Sequence, residues 1–164
     1  MTRDPRTTFA VGVDPGVSTG LVILRGDGFK IHAQQGSPGV TLDDFTTRFS
    51  FLNNVGYDVL VGCERYVVTG ETARRSAQPV PLQVVGVAAQ LARLNNWSFH
   101  LQSPSDVKAL VDNAFLRRVG LYTTPREVEQ RDADDVNDAM RHALAVLAHR
   151  RASMFEQIFL SSSV

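Results

Sequence analysis

Apolar and polar residues alternate along the chain in a way that separates short strands from longer helices. The predicted strands are residues 8–13, 20–24, 29–33, 58–63 and 97–101. Gly26-Asp27-Gly28 is a hairpin signal between the second and third, so the first three strands should form an antiparallel meander. The run at 58–63 (DVLVGC) is continuously apolar, which is typical of a central strand covered on both faces.

Helical spacing of apolar residues predicts helices after the meander and between the later strands. One helix should begin near Thr41, which with Asp44 resembles a capping box, and end at Gly56. Another spans 82–94, and the last spans 134–150. A further helix should start at Ser103-Pro104-Ser105-Asp106, which offers a cap residue, a first-position proline and a first-turn acid, whereas 115–122 is less regular. This order predicts an α/β fold, in which a five-stranded mixed sheet carries helices on both faces.

Length and composition limit the protein to ordinary globular classes. Its 164 residues, of which 43% are hydrophobic and 21% charged, predict one domain with a core at about 8–150, a tail at 1–6 and an extension at 152–164. The single cysteine, Cys63, excludes an internal disulfide and is expected to be a small buried residue. The chain shows no membrane-length apolar run and no signal-peptide core at its start, so we expect a cytoplasmic protein.

Charge balance excludes a strongly basic nucleic-acid-binding domain. Lys+Arg and Asp+Glu number 17 each, and the isoelectric point is about 6.9. If the partner is nucleic acid, the positive charge that attracts it must be local.

Four carboxylates stand at positions where a site could form. Asp14 ends the first strand before Pro15-Gly16, and Glu64 ends the central strand. Each alone also fits a turn cap or an ordinary strand end. Asp135 and Asp138 are three residues apart on the last helix and flank its apolar face, where like charges repel. A divalent metal explains such a placement. Hard carboxylate oxygens suit Mg²⁺ or Mn²⁺, and two such ions can promote phosphodiester hydrolysis.

Four segments in order resemble the RuvC-type Holliday junction resolvases of the RNase H-like superfamily. They are Gly12-Val13-Asp14-Pro15-Gly16-Val17-Ser18-Thr19-Gly20, Glu64-Arg65-Tyr66, Ser103-Pro104-Ser105-Asp106-Val107-Lys108 and Asp135-Val136-Asn137-Asp138-Ala139. The resemblance covers about residues 8–150. It implies an RNase H-like fold, a homodimer, two divalent ions held by Asp14, Glu64, Asp135 and Asp138, and paired nicks across a four-way DNA junction. Small divergent relatives of this kind occur in bacteriophage genomes, so the resemblance implies a bacterial cell or a phage-infected host.

Several basic and aromatic residues are candidates for DNA contact. Tyr66, Arg74 and Arg75 follow Glu64, and Lys108 lies in the Val-Lys segment. The family usually carries a Gly-rich, lysine-containing stretch next. This chain has Arg117 and Arg118 instead, which are candidates to replace those lysines. This departure from the family pattern leaves open both the DNA sequence that is preferred for cleavage and the specificity for junctions.

Three alternatives stay open at this point. Another RNase H-like nuclease would cut RNA–DNA hybrids or flaps, and a non-catalytic module would bind junctions only. A phosphotransferase is suggested by Asp14-Pro15-Gly16-Val17-Ser18-Thr19-Gly20, which also resembles the phosphate loop of actin-like folds, although those folds need two such domains. Asp134 and His142 are further candidates for the site, and an ordinary residue at the helix edge is the preferred interpretation of His142.

Overall fold

Five strands and five helices make up the described chain. The computed structural model describes residues 7–53, 56–68, 70 and 80–150, with the backbone alone for 49–53. The strands are β1 (Thr8–Asp14), β2 (Thr19–Arg25), β3 (Lys30–Gly36), β4 (Asp58–Glu64) and β5 (Ser98–Gln102). The helices are α1 (Pro38–Asn53), α2 (Val80–Leu94), α3 (Pro104–Leu110), α4 (Asn113–Arg118) and α5 (Asp134–Arg150). The tail at 1–6 and the extension at 152–164 lie outside the described residues.

The strands form one mixed sheet in the order β3-β2-β1-β4-β5. β1, β2 and β3 are an antiparallel meander, whereas β4 is parallel to β1 and β5 is parallel to β4. The parallel pairs need crossover connections, and α1 and α2 lie in those connections. The predicted fold class is therefore confirmed.

Both faces of the sheet are buried. Ala10, Val22 and Leu60 point to one face and pack with α5 and with the segment from Val111 to Leu121. Val11, Ile23 and Val61, each one position along, point to the other face and pack against α1 and α2. Two cores on one sheet explain why these strands are apolar at almost every position.

Three glycines let α5 lie directly on the sheet. A Cβ added at Gly12 would stand 1.7 Å from the carbonyl oxygen of Ala139, and one at Gly20 would stand 2.0 Å from that of Asp135. At Gly62 the same atom would stand 2.5 Å from the carbonyl oxygen of His142. These glycines lie on β1, β2 and β4, and each position admits only a residue without a side chain. The first turns of α5 are thereby placed at the carboxyl ends of β1 and β4.

Three local predictions need correction. Helix α1 begins at Pro38, one turn before the predicted cap, and the buried Thr41 hydroxyl donates to the Thr19 carbonyl at 3.4 Å instead. The segment 115–122, predicted to be less regular, overlaps α4, which begins because the Asp112 carboxylate accepts from the Phe115 amide at 2.6 Å. Ser103 does precede α3, but its hydroxyl bonds to Ser105 and not to the helix backbone.

Among the described helices, none combines the length and the apolar character that crossing a bilayer would require.

Candidate metal centre

Three of the four predicted carboxylates meet at one end of the sheet. Asp14 and Glu64 end neighbouring parallel strands, whose register pairs Val13 with Cys63, so both acids project from the same edge. Helix α5 brings Asp138 to them. One ligand oxygen from each of the three lies within 4.8 Å of the others. Within the part of the chain that the structure describes, this is the one such group of acidic, histidine or cysteine side chains.

The charge at this cluster is only partly compensated. The pKa of Asp14 is raised to about 7, first by burial and then by the neighbouring charges of Glu64 and Asp135, while Lys108 and Arg141 act in the opposite direction. Carboxylates that repel one another in a half-buried site form a donor set that suits a hard divalent cation. The residues present therefore fit the metal that the sequence predicts.

Two cations hold Asp138 in place. Lys108 Nζ lies 2.8 Å from one carboxylate oxygen, and the Arg141 guanidinium pairs with the other. Arg141 is itself buried, and it also donates to the Val111 carbonyl at 3.0 Å and to the Asn113 side chain. A buried guanidinium with partners on three sides fixes the acid that it contacts. The structure thus places Lys108 at the site, and Arg141 is a site residue that the sequence analysis missed.

Glu64 pairs with a buried histidine. His142 Nε2 lies 3.3 Å from Glu64 Oε2, and His142 Nδ1 lies 2.8 Å from the Gln102 side chain. His142 is only 1% exposed, so the preferred interpretation of it as a residue at the helix edge is wrong. The His142 backbone lies over Gly62 of β4 and its ring contacts Glu64 and Gln102, so the expected helix edge is packed against β4 and β5.

Asp135 lies beside the cluster and is not one of the three acids that converge. It is half-buried, which raises its pKa, while a hydrogen bond from Ser18 acts to lower it. Its charge nevertheless reaches Asp14 and Glu64. The turn that carries it is held by Gln35, whose side-chain oxygen accepts from the Val136 amide at 3.1 Å. A role for Asp135 as a fourth ligand stays a prediction, and Asp134 is an exposed acid of the same first turn.

The predicted DNA-contacting residues lie on different elements. Tyr66 is half-buried just beyond Glu64. Arg117 and Arg118 are exposed on α4, where their guanidinium carbons lie 4.2 Å above the Tyr122 ring and 5.3 Å above the Phe115 ring. Arg74 and Arg75 lie outside the described residues. Cys63 is fully buried, as predicted.

Comparison with known proteins shows a likeness in fold. No protein-family model and no curated protein matches the sequence. T. thermophilus RuvC, in a structure with a Holliday junction substrate, matches with a TM-score of 0.57 and 15% identity over 90% of this chain and 96% of RuvC. A second Thermus thermophilus RuvC structure matches with a TM-score of 0.53 and 15% identity over 88% of this chain and 97% of that one. The chain therefore has the RuvC-like, RNase H-like fold that the sequence predicts.

Proposed function

We propose that this protein is a metal-dependent endonuclease that hydrolyses phosphodiesters in branched DNA and resolves four-way junctions by paired nicks. The observation that carries the proposal is the convergence of Asp14, Glu64 and Asp138 at one end of the sheet. The fold of nearly the whole chain is similar to that of RuvC in a structure with a Holliday junction substrate. A pure junction binder would gain nothing from carboxylates placed near phosphate.

The three converging acids, with Asp135 as the fourth, would hold two Mg²⁺ ions, and Mn²⁺ should substitute. When bound, such ions activate water and neutralise charge on the leaving oxygen. The protein's own part is positional. Arg141 and Lys108 hold Asp138, and the bond from His142 holds Glu64. Tyr66, Arg74, Arg75, Arg117 and Arg118 would contact the DNA, and a homodimer would place the two cuts symmetrically.

A substrate panel tests the proposal. The protein is incubated with Mg²⁺ or Mn²⁺ and with linear duplex, flap, four-way junction and RNA–DNA hybrid. We expect paired nicks in the junction and little cleavage of linear duplex. Preferred cutting of hybrid or flap would identify another RNase H-like nuclease. Junction binding without cleavage under any metal would identify a binding module, and either result overturns the proposed activity.

Substitution of the acids provides the matched test. Asp14→Asn, Glu64→Gln and Asp138→Asn should each lower the cleavage rate by roughly 100-fold or more, since loss of even an outer partner of a ligand costs roughly 10–100-fold. Junction binding should survive, because the amides keep the shape of the acids. Wild-type cleavage rates in any two of these variants would contradict the assignment. Asp135→Asn tests the fourth acid separately.

A further inference from the structure

His142 is a buried imidazole with a side-chain partner on each ring nitrogen. It is 1% exposed and lies on α5, one turn beyond Asp138. Nε2 lies 3.3 Å from Glu64 Oε2, and Nδ1 lies 2.8 Å from the side chain of Gln102. The three residues belong to β4, β5 and α5, so this chain of contacts joins three elements.

The orientation of the Gln102 amide decides which ring nitrogen carries the hydrogen. With its nitrogen towards the helix, Gln102 donates to His142 Nδ1 at 2.8 Å and to the His142 carbonyl at 3.2 Å, and its oxygen accepts from the Val146 amide at 3.3 Å. The opposite orientation makes the amide oxygen face only acceptors. In the neutral imidazole, Nδ1 is then the acceptor, and Nε2–H donates to the Glu64 carboxylate.

The sheet provides the space for this chain of contacts. Gln102 is the register partner of Glu64 across the parallel β4–β5 pair. Two residues earlier on β4, a Cβ at Gly62 would stand 2.8 Å from the end of the Gln102 amide that faces His142, as well as close to the His142 carbonyl. A larger residue at position 62 would push Gln102 and His142 apart. The contacts therefore depend on a glycine within the strand that carries Glu64.

We infer that His142, oriented by Gln102, is a positioning residue that holds one oxygen of Glu64 and leaves the other directed to a divalent cation. A glutamate side chain has several rotamers, and fixing it before the cation binds removes an entropic penalty from binding. The inference rests on the proposed function, because it requires that Glu64 be a metal ligand. Its consequence is an effect on metal affinity that depends on the N–H donor and not on the volume of the side chain.

Metal affinity in the absence of DNA tests the inference. Mn²⁺ binding is measured by titration calorimetry for wild type, His142→Leu, His142→Gln and Gln102→Met. His142→Leu fills the space without a donor and should weaken Mn²⁺ binding roughly 10–100-fold, as loss of an outer partner typically does. His142→Gln restores an N–H near the position of Nε2 and should recover most of the affinity. Gln102→Met should weaken binding less than His142→Leu does.

The Glu64→Gln background separates positioning from general damage to the fold. There, His142→Leu should have no further effect on the remaining Mn²⁺ affinity, because the residue it acts through is gone. Wild type that binds no Mn²⁺ would overturn the proposed function itself. Wild type that binds Mn²⁺, with affinity unchanged in His142→Leu and Gln102→Met, would overturn the positioning role alone. If His142→Leu does not fold, Gln102→Met against wild type decides the same question.

Discussion

Asp14 carries a large electrostatic penalty in the metal-free protein. It is buried beside Glu64 and Asp135, and its pKa rises to about 7 for that reason. The folded state therefore favours the protonated acid, whereas the unfolded chain has the ordinary value of 3.8. The resulting stabilisation is complete below that ordinary value and is lost as the pH rises through about 7.

The difference between the pKa of Asp14 in the folded and unfolded protein predicts how stability depends on pH when a chelator removes metal. The unfolding free energy of wild type should fall between pH 4 and pH 7 relative to Asp14→Asn, by a few kcal/mol, since each pKa unit corresponds to about 1.4 kcal/mol. Urea unfolding at several pH values measures both proteins. Comparison with Asp14→Asn cancels the other groups that titrate in this range. Parallel curves for the two proteins would show that Asp14 is ionised without penalty.

The sequence predicts individual site residues where the end of an apolar pattern fixes their position. Asp14 and Glu64 are predictable because an apolar run stops at each of them, and Asp138 because it flanks an apolar helix face. Their partners are not predictable in this way. Arg141 is packed against the segment that begins at Val111, where it contacts the Val111 carbonyl and the Asn113 side chain. His142 meets Gln102 because the β4–β5 register pairs Gln102 with Glu64. Such contacts come from packing between distant segments, which periodicity does not encode.

Among the elements, α5 determines the geometry of the site. The strands and the long helices follow from apolar patterning, but short α4 depends on the local hydrogen bond between the Phe115 amide and Asp112, and α1 begins a turn before the predicted capping pattern. The close packing of α5 on Gly12, Gly20 and Gly62 is also not predictable from either the helix or the strands alone, because it depends on how they pack together.

Adding one methyl group under α5 should disturb both the fold and the site. Gly12→Ala would force its Cβ against the Ala139 carbonyl, and we expect a loss of about 3 kcal/mol or more in unfolding free energy. Gly86→Ala is the matched control, because it lies in helix α2 with open space around its Cβ and should gain about 0.5–1 kcal/mol. Denaturant midpoints measure both. Equal stability of Gly12→Ala and wild type would mean that α5 does not rest on the strand.

At the scale of the whole molecule, a protein without net charge must bind DNA through local cations. Each duplex phosphate contact adds about 0.9 to the slope of log affinity against log salt. Arg117→Ala with Arg118→Ala should therefore lower the slope by up to about 2, and Arg74→Ala with Arg75→Ala should lower it similarly. Titration of junction and linear duplex at several salt concentrations measures this. Unchanged slopes in both arginine double variants would show that the DNA contacts lie elsewhere on the surface.

Tyr66→Ala should instead reduce the preference of the protein for junction DNA over duplex DNA.

The outer face of α2 is the predicted dimer contact. Leu82, Val87 and Leu94 on this helix are 42%, 40% and 65% exposed, whereas Val84, Ala88 and Ala92 pack towards the sheet. We expect a dimer by light scattering, and Val87→Asp with Leu94→Asp should yield a monomer whose circular dichroism is unchanged. Gln130→Asp, at an exposed position outside α2, is the control for added charge. A wild-type protein that is monomeric both free and with junction DNA would contradict this interface.

The separation of the three converging acids along the chain has a consequence for biosynthesis. Asp14, Glu64 and Asp138 come together only after β1 has paired with β4 and α5 has docked. Their mutual repulsion thus arises at the end of folding, and a cation that binds them stabilises the native state alone. We expect metal to slow unfolding more than it accelerates folding. A nascent chain on the ribosome cannot assemble the site before α5 emerges, so the proposed nuclease would stay inert until that helix has been synthesised.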